Sequence, residues 1–217
     1  MRFDAVKSPI TLRAIVIIGS LIHSVRLGLT KNRIGRLLHS NRGNALLYPE
    51  GWEPKVLKCM CETKWNGPVW DVGAFVGRHA YRVANFHRVY AFEPNLNALQ
   101  FLGYNVKDTP NVVVVPCALT VDGKPMKGTV DPDFLKPPTG PDVATLSIAE
   151  ALQKFGRPGV IKIDIEGGEY EMLKCELLFD IPLLIEWHRE IPTELPHWTI
   201  QTIDETHSLL TPRKKAA

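Results

Sequence analysis

No stretch of the sequence approaches the roughly 18 consecutive apolar residues that a membrane-spanning helix requires. The longest apolar run, at 14–18, meets Gly19 and Ser20 and resumes only at Leu21 and Ile22. No clear small-residue cleavage site follows it, which argues against a secretory leader. Cysteine is scarce, limited to Cys59, Cys61, Cys117 and Cys175, and the first two are spaced as neither a redox pair nor a zinc knuckle. Reduced thiols in a cytoplasmic protein are expected, with Cys117 and Cys175 buried as small hydrophobes. Also missing are an internal repeat, a Gly-Lys-Ser/Thr phosphate loop and the three-glycine G-x-G-x-x-G signature of dinucleotide binding.

What is present suits one domain with a proper core: 217 residues, 45% apolar and 23% charged. The net charge of +3 is unevenly spread. Residues 1–42 hold eight Lys/Arg against one acid, Asp4, giving +7 and leaving −4 for the rest. A basic N-terminal extension, residues 1–46, is therefore expected to precede a main domain over 47–217. Ser8-Pro9 and Thr30 read as helix starts within it. Its charges are better explained as solvated faces of packed helices, and the alternative is an anionic surface contact through residues 8–42, with membrane headgroups or nucleic acid.

From residue 54 the chain alternates. A helix is expected to about residue 63, then strands at 69–72, 89–92, 112–115, 159–163 and 182–187. Helices are expected between them at 77–85, 95–105, 147–155 and 169–176. This rhythm predicts an α/β fold, a mostly parallel sheet with helices on both faces. Ser147 and Glu150 fit a capping box. Asp122-Gly123 reads as a hairpin turn, and the proline-rich stretch at 131–141 as a loop. Two β-runs at 198–203 and 207–211 predict a C-terminal antiparallel hairpin. Only nine residues, 189–197, lead into it. A parallel crossover normally takes about a dozen or more, so the last helix is expected to be truncated or missing.

The loop after the first strand reads Asp71-Val72-Gly73-Ala74-Phe75-Val76-Gly77. Glycines here let the backbone approach a ligand, and the following helix offers N–H groups to a polar or anionic atom. Glu93 ends the next strand 22 residues after Asp71, the placement of an acid that accepts from ribose hydroxyls. Loop and acid together point to a nucleotide-like ligand at the switch in strand order.

These segments, and above all Val-Ile-Lys-Ile-Asp-Ile-Glu-Gly-Gly-Glu-Tyr-Glu-Met-Leu at 160–173 followed by Leu-Leu-Ile-Glu-Trp-His at 183–188, resemble the FkbM-type methyltransferases. The resemblance runs from about residue 48 to 187. It implies a Rossmann-like class I fold that uses S-adenosyl-L-methionine, usually to methylate hydroxyl oxygens of small molecules, sugars or lipids. By position it implies that Asp71, Val72, Gly73, Ala74 and Gly77 line the methionine end of the cofactor. Glu93 would hold the ribose, Pro94 and Asn95 would lie near the adenine, Cys117 and Ala118 would border it, and Asp164 would face the reacting end. The family often carries Asp where Ser147 stands, and the basic extension lies outside the resemblance.

An alcohol acceptor must lose its proton to a base within hydrogen-bond reach. Lys162, Asp164 and Glu166 alternate along the fourth strand and its exit, and Glu186 and His188 repeat that spacing on the fifth. Asp164 or Glu166 are candidates to position the acceptor and His188 or Glu186 to act as base, with Lys162 in a structural ion pair. Glu166 is equally placed to favour a helix start through the helix dipole. Such side chains can also bind a divalent ion, but no compact ligand motif supports one and no metal is assigned. The leading expectation is O-methylation of a small-molecule, sugar or lipid-linked acceptor. The alternatives are an RNA methyltransferase gripping phosphates through the basic arm, or a non-catalytic cofactor-binding or membrane-surface module.

Overall fold

The computed structural model describes residues 53–127 and 142–213. The basic helices expected over 1–46 and the proline-rich loop lie outside the described residues. The chain opens with α1 (Pro54–Glu62) and continues β1 (Val69–Val72), α2 (Arg78–Val83), β2 (Val89–Phe92), α3 (Leu96–Val106) and β3 (Val112–Val115). Short strands β4 (Ala118–Thr120), β5 (Met126–Lys127), β6 (Asp142–Val143) and β7 (Thr145–Ser147) follow. Then come α4 (Ile148–Phe155), β8 (Val160–Ile163), α5 (Glu169–Met172), β9 (Leu183–Glu186), β10 (Trp198–Thr202) and β11 (His207–Pro212).

Seven strands form one sheet in the order β10-β11-β9-β8-β1-β2-β3. β3, β2, β1, β8 and β9 are parallel, while β11 runs antiparallel to both β9 and β10. This is the expected Rossmann-like class I architecture with its C-terminal hairpin. After β3 the chain crosses back past β1 to lay down β8, so the switch in strand order falls between β1 and β8. Ligands of open α/β sheets bind outside the carboxyl ends of the strands at such a point.

The central strands are buried on both faces, as parallel strands are when helices cover both sides. Trp70, Val72, Phe92, Ile161, Ile163, Leu183 and Ile185 pack towards Ile148 and Ala151 of α4 and Met172 of α5. The alternate residues Val69, Val89, Ala91, Val160 and Leu184 pack towards Val56 and Met60 of α1, Ala80 and Val83 of α2, and Leu102 and Val106 of α3. Burying one such side chain contributes about 1.5–3 kcal/mol.

Two local expectations need correction. Asp122-Gly123 does not close a hairpin: β4 pairs in parallel with β7, and β5 pairs antiparallel with β6. The turn instead joins two small sheets, with the Gly123 amide donating to Thr120 Oγ1 at 2.9 Å. The helix expected over 169–176 ends at Met172, and a 3-10 turn at Glu176–Leu178 carries the chain onward. No helix intervenes between β9 and β10, as the short connection implied. Among the described residues no helix is long and apolar enough to cross a membrane.

The capping box is present in full. The Glu150 amide donates to Ser147 Oγ at 3.2 Å, and the Ser147 amide donates to Glu150 Oε2 at 2.9 Å. Ser147→Ala should cost about 1 kcal/mol, lowering the melting temperature by about 2–4 °C for a domain of this size. A calorimetric melt unchanged by the substitution would show that α4 does not depend on this cap.

Candidate active site

Strand alternation decides which side chains meet. On the face covered by α1–α3, Asp71 of β1 stands in register with Lys162 of β8, and Lys162 with Leu184 of β9. One step towards the carboxyl ends come Asp164, just past β8, Glu186 at the end of β9, and His207, the β11 residue in register with Glu186. The same face that is apolar along most of the sheet therefore becomes charged where the strands end.

Lys162 is 1% exposed. Its ammonium donates to Asp164 Oδ2 at 2.9 Å and lies 4.0 Å from Asp71 Oδ1. Burial opposes its charge, but the two carboxylates hold it well above the usual lysine range. Asp164 is penalised by burial yet drawn down to about 2, chiefly by Lys162. The structural ion pair expected for Lys162 is thus present. Asp71 is fully buried, and neither carboxylate oxygen has a hydrogen-bond partner among the described residues.

The loop after β1 is shaped by two glycines at φ +84°. A Cβ on Gly73 would overlap the Asp164 carbonyl oxygen, so the exits of β1 and β8 lie main chain against main chain. A Cβ on Gly77 would overlap Leu102 of α3, so this glycine serves helix packing. Val72 and Ala74 point into the two halves of the core. The amides of Gly73 and Ala74 donate to the Phe92 carbonyl at 3.1 and 3.0 Å, and that of Gly77 to Ala74 at 2.7 Å. The loop amides at these positions are therefore used within the fold, clamping the loop onto β2.

Glu93, 6% exposed, is the hub of this clamp. Oε2 accepts from the Phe75 amide at 2.8 Å and Oε1 from the Asn95 amide at 2.7 Å. Phe75 adopts a left-handed φ of +48° to make that bond. Burial pushes Glu93 up to about 7 against the pull of the two amides. Pro94 is half-buried beside it, while Asn95 Oδ1 caps α3 by accepting from the Ala98 amide at 3.3 Å. Cys117 packs into the core just past β3 with its thiol pushed up by burial, and Ala118 opens β4.

A second cluster sits past β8 and β9. His188 Nδ1 is 2.8 Å from Glu169 Oε1, and Nε2 is 3.1 Å from Glu166 Oε2 and 3.7 Å from Asp164 Oδ1. The hydrogen bond to Glu169, outweighing burial and helped by Glu166 and Asp164, pushes the imidazole up to about 9. Glu166 does not begin a helix: it precedes α5 at φ +55° and its carboxylate turns to His188. Glu186 stands with Asp164 and His188 in the same group of side chains, which Glu166 joins through His188.

Three residues of this cluster, Glu169, Asp204 and His207, carry little signal in the sequence. Glu169 is fully buried, and its position marks it only as part of a helix. His207, 2% exposed, lies with Nε2 3.6 Å from Glu186 Oε2, and its Nδ1 is 2.8 Å from Asp204 Oδ1. The available signal was the acid three residues before a histidine across a tight turn, where Asp204 also accepts from the Thr206 and His207 amides at 3.0 and 2.9 Å. Beyond His188, a shallow cavity of about 410 Å³ is lined by Tyr170, Arg189, Glu190, Ile191, Pro192 and Thr193. It occupies the connection from which the crossover helix is missing.

A family profile described as "Methyltransferase FkbM domain" matches residues 71–210. The chain belongs to the FkbM methyltransferase family. The family match runs from Asp71 through Leu210 and so contains Glu93, the His188 cluster and His207. The hexuronic acid methyltransferase AglP of Haloferax volcanii is 26% identical over 128 residues, covering 52% of this FkbM-family chain and 51% of the relative. The chain thus matches about half the length of that protein. Solved structures similar to it include precorrin-6Y C5,15-methyltransferase from Geobacter metallireducens, at 16% identity, 62% and 60% coverage and a TM-score of 0.39. An RNA methyltransferase from Salinibacter ruber in complex with S-adenosyl-L-homocysteine is 13% identical, with 76% and 94% coverage and a TM-score of 0.45.

Proposed function

We infer that the protein methylates a hydroxyl oxygen of a sugar, with S-adenosyl-L-methionine as donor. Family membership supports methyl transfer, and the name of the Haloferax volcanii relative favours a sugar acceptor. The observation that carries the donor is the pairing of two buried acids across the switch point. Glu93 is fixed by the Phe75 and Asn95 amides and retains further acceptor capacity on each oxygen for ribose hydroxyls. Asp71 holds buried oxygens without hydrogen-bond partners, which suit the ammonium of a methionine moiety. The residues present therefore fit the donor at both ends.

When bound, the donor supplies an electrophilic methyl: the acceptor oxygen bonds to its carbon as the carbon–sulfur bond breaks and the electron pair returns to sulfur. The protein must align the acceptor and take its proton. Asp164 is locked by Lys162 and so acts in positioning. Glu166, half-exposed and pushed up by burial, and Glu186 at the end of β9 are the carboxylates placed to receive the proton. The cavity lined by Tyr170 and residues 189–193, which follow His188 in the chain, gives a sugar-sized acceptor room to approach.

The test uses the full chain with methyl-tritiated donor and a panel of hexuronic acids, neutral hexosides and RNA. Label is expected in a sugar as an alkali-stable methyl ether. Alkali-labile label would move the acceptor to a carboxyl group, and label in RNA alone would overturn the sugar reading.

A further inference from the structure

We propose that Asp164, Glu186 and His188 form a binding site for a divalent cation of the Mg²⁺ or Mn²⁺ class at the carboxyl ends of β8 and β9. One ligand atom from each lies within 4.8 Å of the others. Ligands bonded at about 2.1 Å to one octahedral ion sit about 3.0 Å apart when cis and about 4.2 Å apart when trans, so side-chain shifts on the order of 1–2 Å close the site. Two carboxylates and one imidazole, with the remaining positions left to water or acceptor oxygen, are a donor set that such ions accept.

Two further observations point to a cation rather than to an ordinary ion pair. The first is orientation. His188 Nδ1 is tied to Glu169, a fully buried carboxylate that also accepts from the Gly167 amide at 3.0 Å. That is the carboxylate–histidine arrangement that fixes a metal-ligating imidazole, here leaving Nε2 between Glu166 at 3.1 Å and Asp164 at 3.7 Å. His207 repeats it with Asp204 on the far side of Glu186, at 2.8 Å. The second is charge. Asp164, Glu166 and Glu169 all face the single imidazole of His188, while Lys162 is shared between Asp164 and Asp71, and His207 between Glu186 and Asp204. Glu169 Oε2 is buried with no hydrogen-bond partner among the described residues. The cluster is short of positive charge at the point where the ligand atoms converge.

Glu166, 3.1 Å from Nε2, stands next to the site as a proton acceptor for a hydroxyl held on the ion. The use of the ion in catalysis rests on the methyl-transfer reading; its binding does not.

The experiment titrates Mn²⁺ into the full chain without donor or acceptor and follows loss of the free-ion paramagnetic resonance signal. One equivalent is expected to bind and to be displaced by excess Mg²⁺. Glu186→Gln and His188→Gln should each weaken binding at least tenfold, and Glu169→Gln about 10–100-fold through the lost orientation of His188. S-adenosylhomocysteine binding by the same variants shows that they are folded. Failure of wild-type protein to bind Mn²⁺ at millimolar concentration, or equal binding by the folded Glu186→Gln and His188→Gln variants, overturns the proposal. A chain that binds Mn²⁺ but methylates no sugar would leave the cation site standing and remove the acceptor assignment.

Discussion

Lys162→Met should be the most destabilising single substitution in the site, costing about 3–5 kcal/mol at neutral pH. The replacement keeps the apolar stem and removes the ammonium from between Asp71 and Asp164. Asp71 is fully buried and Lys162 1% exposed, so solvent cannot take over the lost charge. In the wild type the pair contributes above the ordinary carboxylate range, because Lys162 draws Asp164 down to about 2. That contribution is lost only as pH falls from about 4 towards 2. In the variant the sign reverses: with the cation gone, burial is left to raise Asp164 above its unfolded value. It then binds a proton more readily in the folded state, and acid favours folding relative to neutral pH. The gap between wild type and variant should therefore narrow on acidification. Urea midpoints measured at pH 7.5 and 4.5 test this. A gap below about 1 kcal/mol at pH 7.5, or one that widens at pH 4.5, would show that the ammonium does not hold this face together.

The legible parts of this fold were those written in local periodicity. Strand–helix alternation, the capping box at Ser147 and the short link after β9 each carry their signal within a few residues. The pairing of Lys162 with Asp164 was also legible, because Asp164 follows it by one strand period. The less legible parts depend on what lies across the sheet. Nothing near Gly77 in the sequence says that Leu102 fills the space its side chain would take. That the amides of Gly73 and Ala74 both donate to Phe92 shows only once β2 is laid beside them. His207 belongs to the site only because β11 pairs antiparallel with β9 and brings it opposite Glu186, a register set by an earlier strand of the chain. Asp122-Gly123 misled for the same reason: the turn chemistry is local, but the partners of β4 and β5 lie beyond residue 141.

Glu93→Ala should reduce the affinity for S-adenosylhomocysteine about 100-fold or more. Two charge-assisted bonds to ribose hydroxyls are lost, each contributing about 1.5–3 kcal/mol. The amides of Phe75 and Asn95 also lose their acceptor, which loosens the loop that Phe75 holds at a left-handed φ. Glu93→Gln tests the charge separately. Burial pushes the wild-type carboxyl up to about 7, so below that pH the unliganded site is protonated. Ribose hydroxyls donate best to the anion, so binding at low pH must first expel a proton. Affinity should then rise with pH, approaching tenfold per unit well below 7 and levelling above about 8. Glu93→Gln has no proton to lose, so this dependence should disappear and affinity at pH 8 should fall about 10–100-fold. Titration calorimetry from pH 5.5 to 8.5 on wild type and both variants reads all three effects. A wild-type profile that is flat, or that Glu93→Gln reproduces, would mean that this carboxylate does not hold the ribose and serves only to tie the β1 loop to β2.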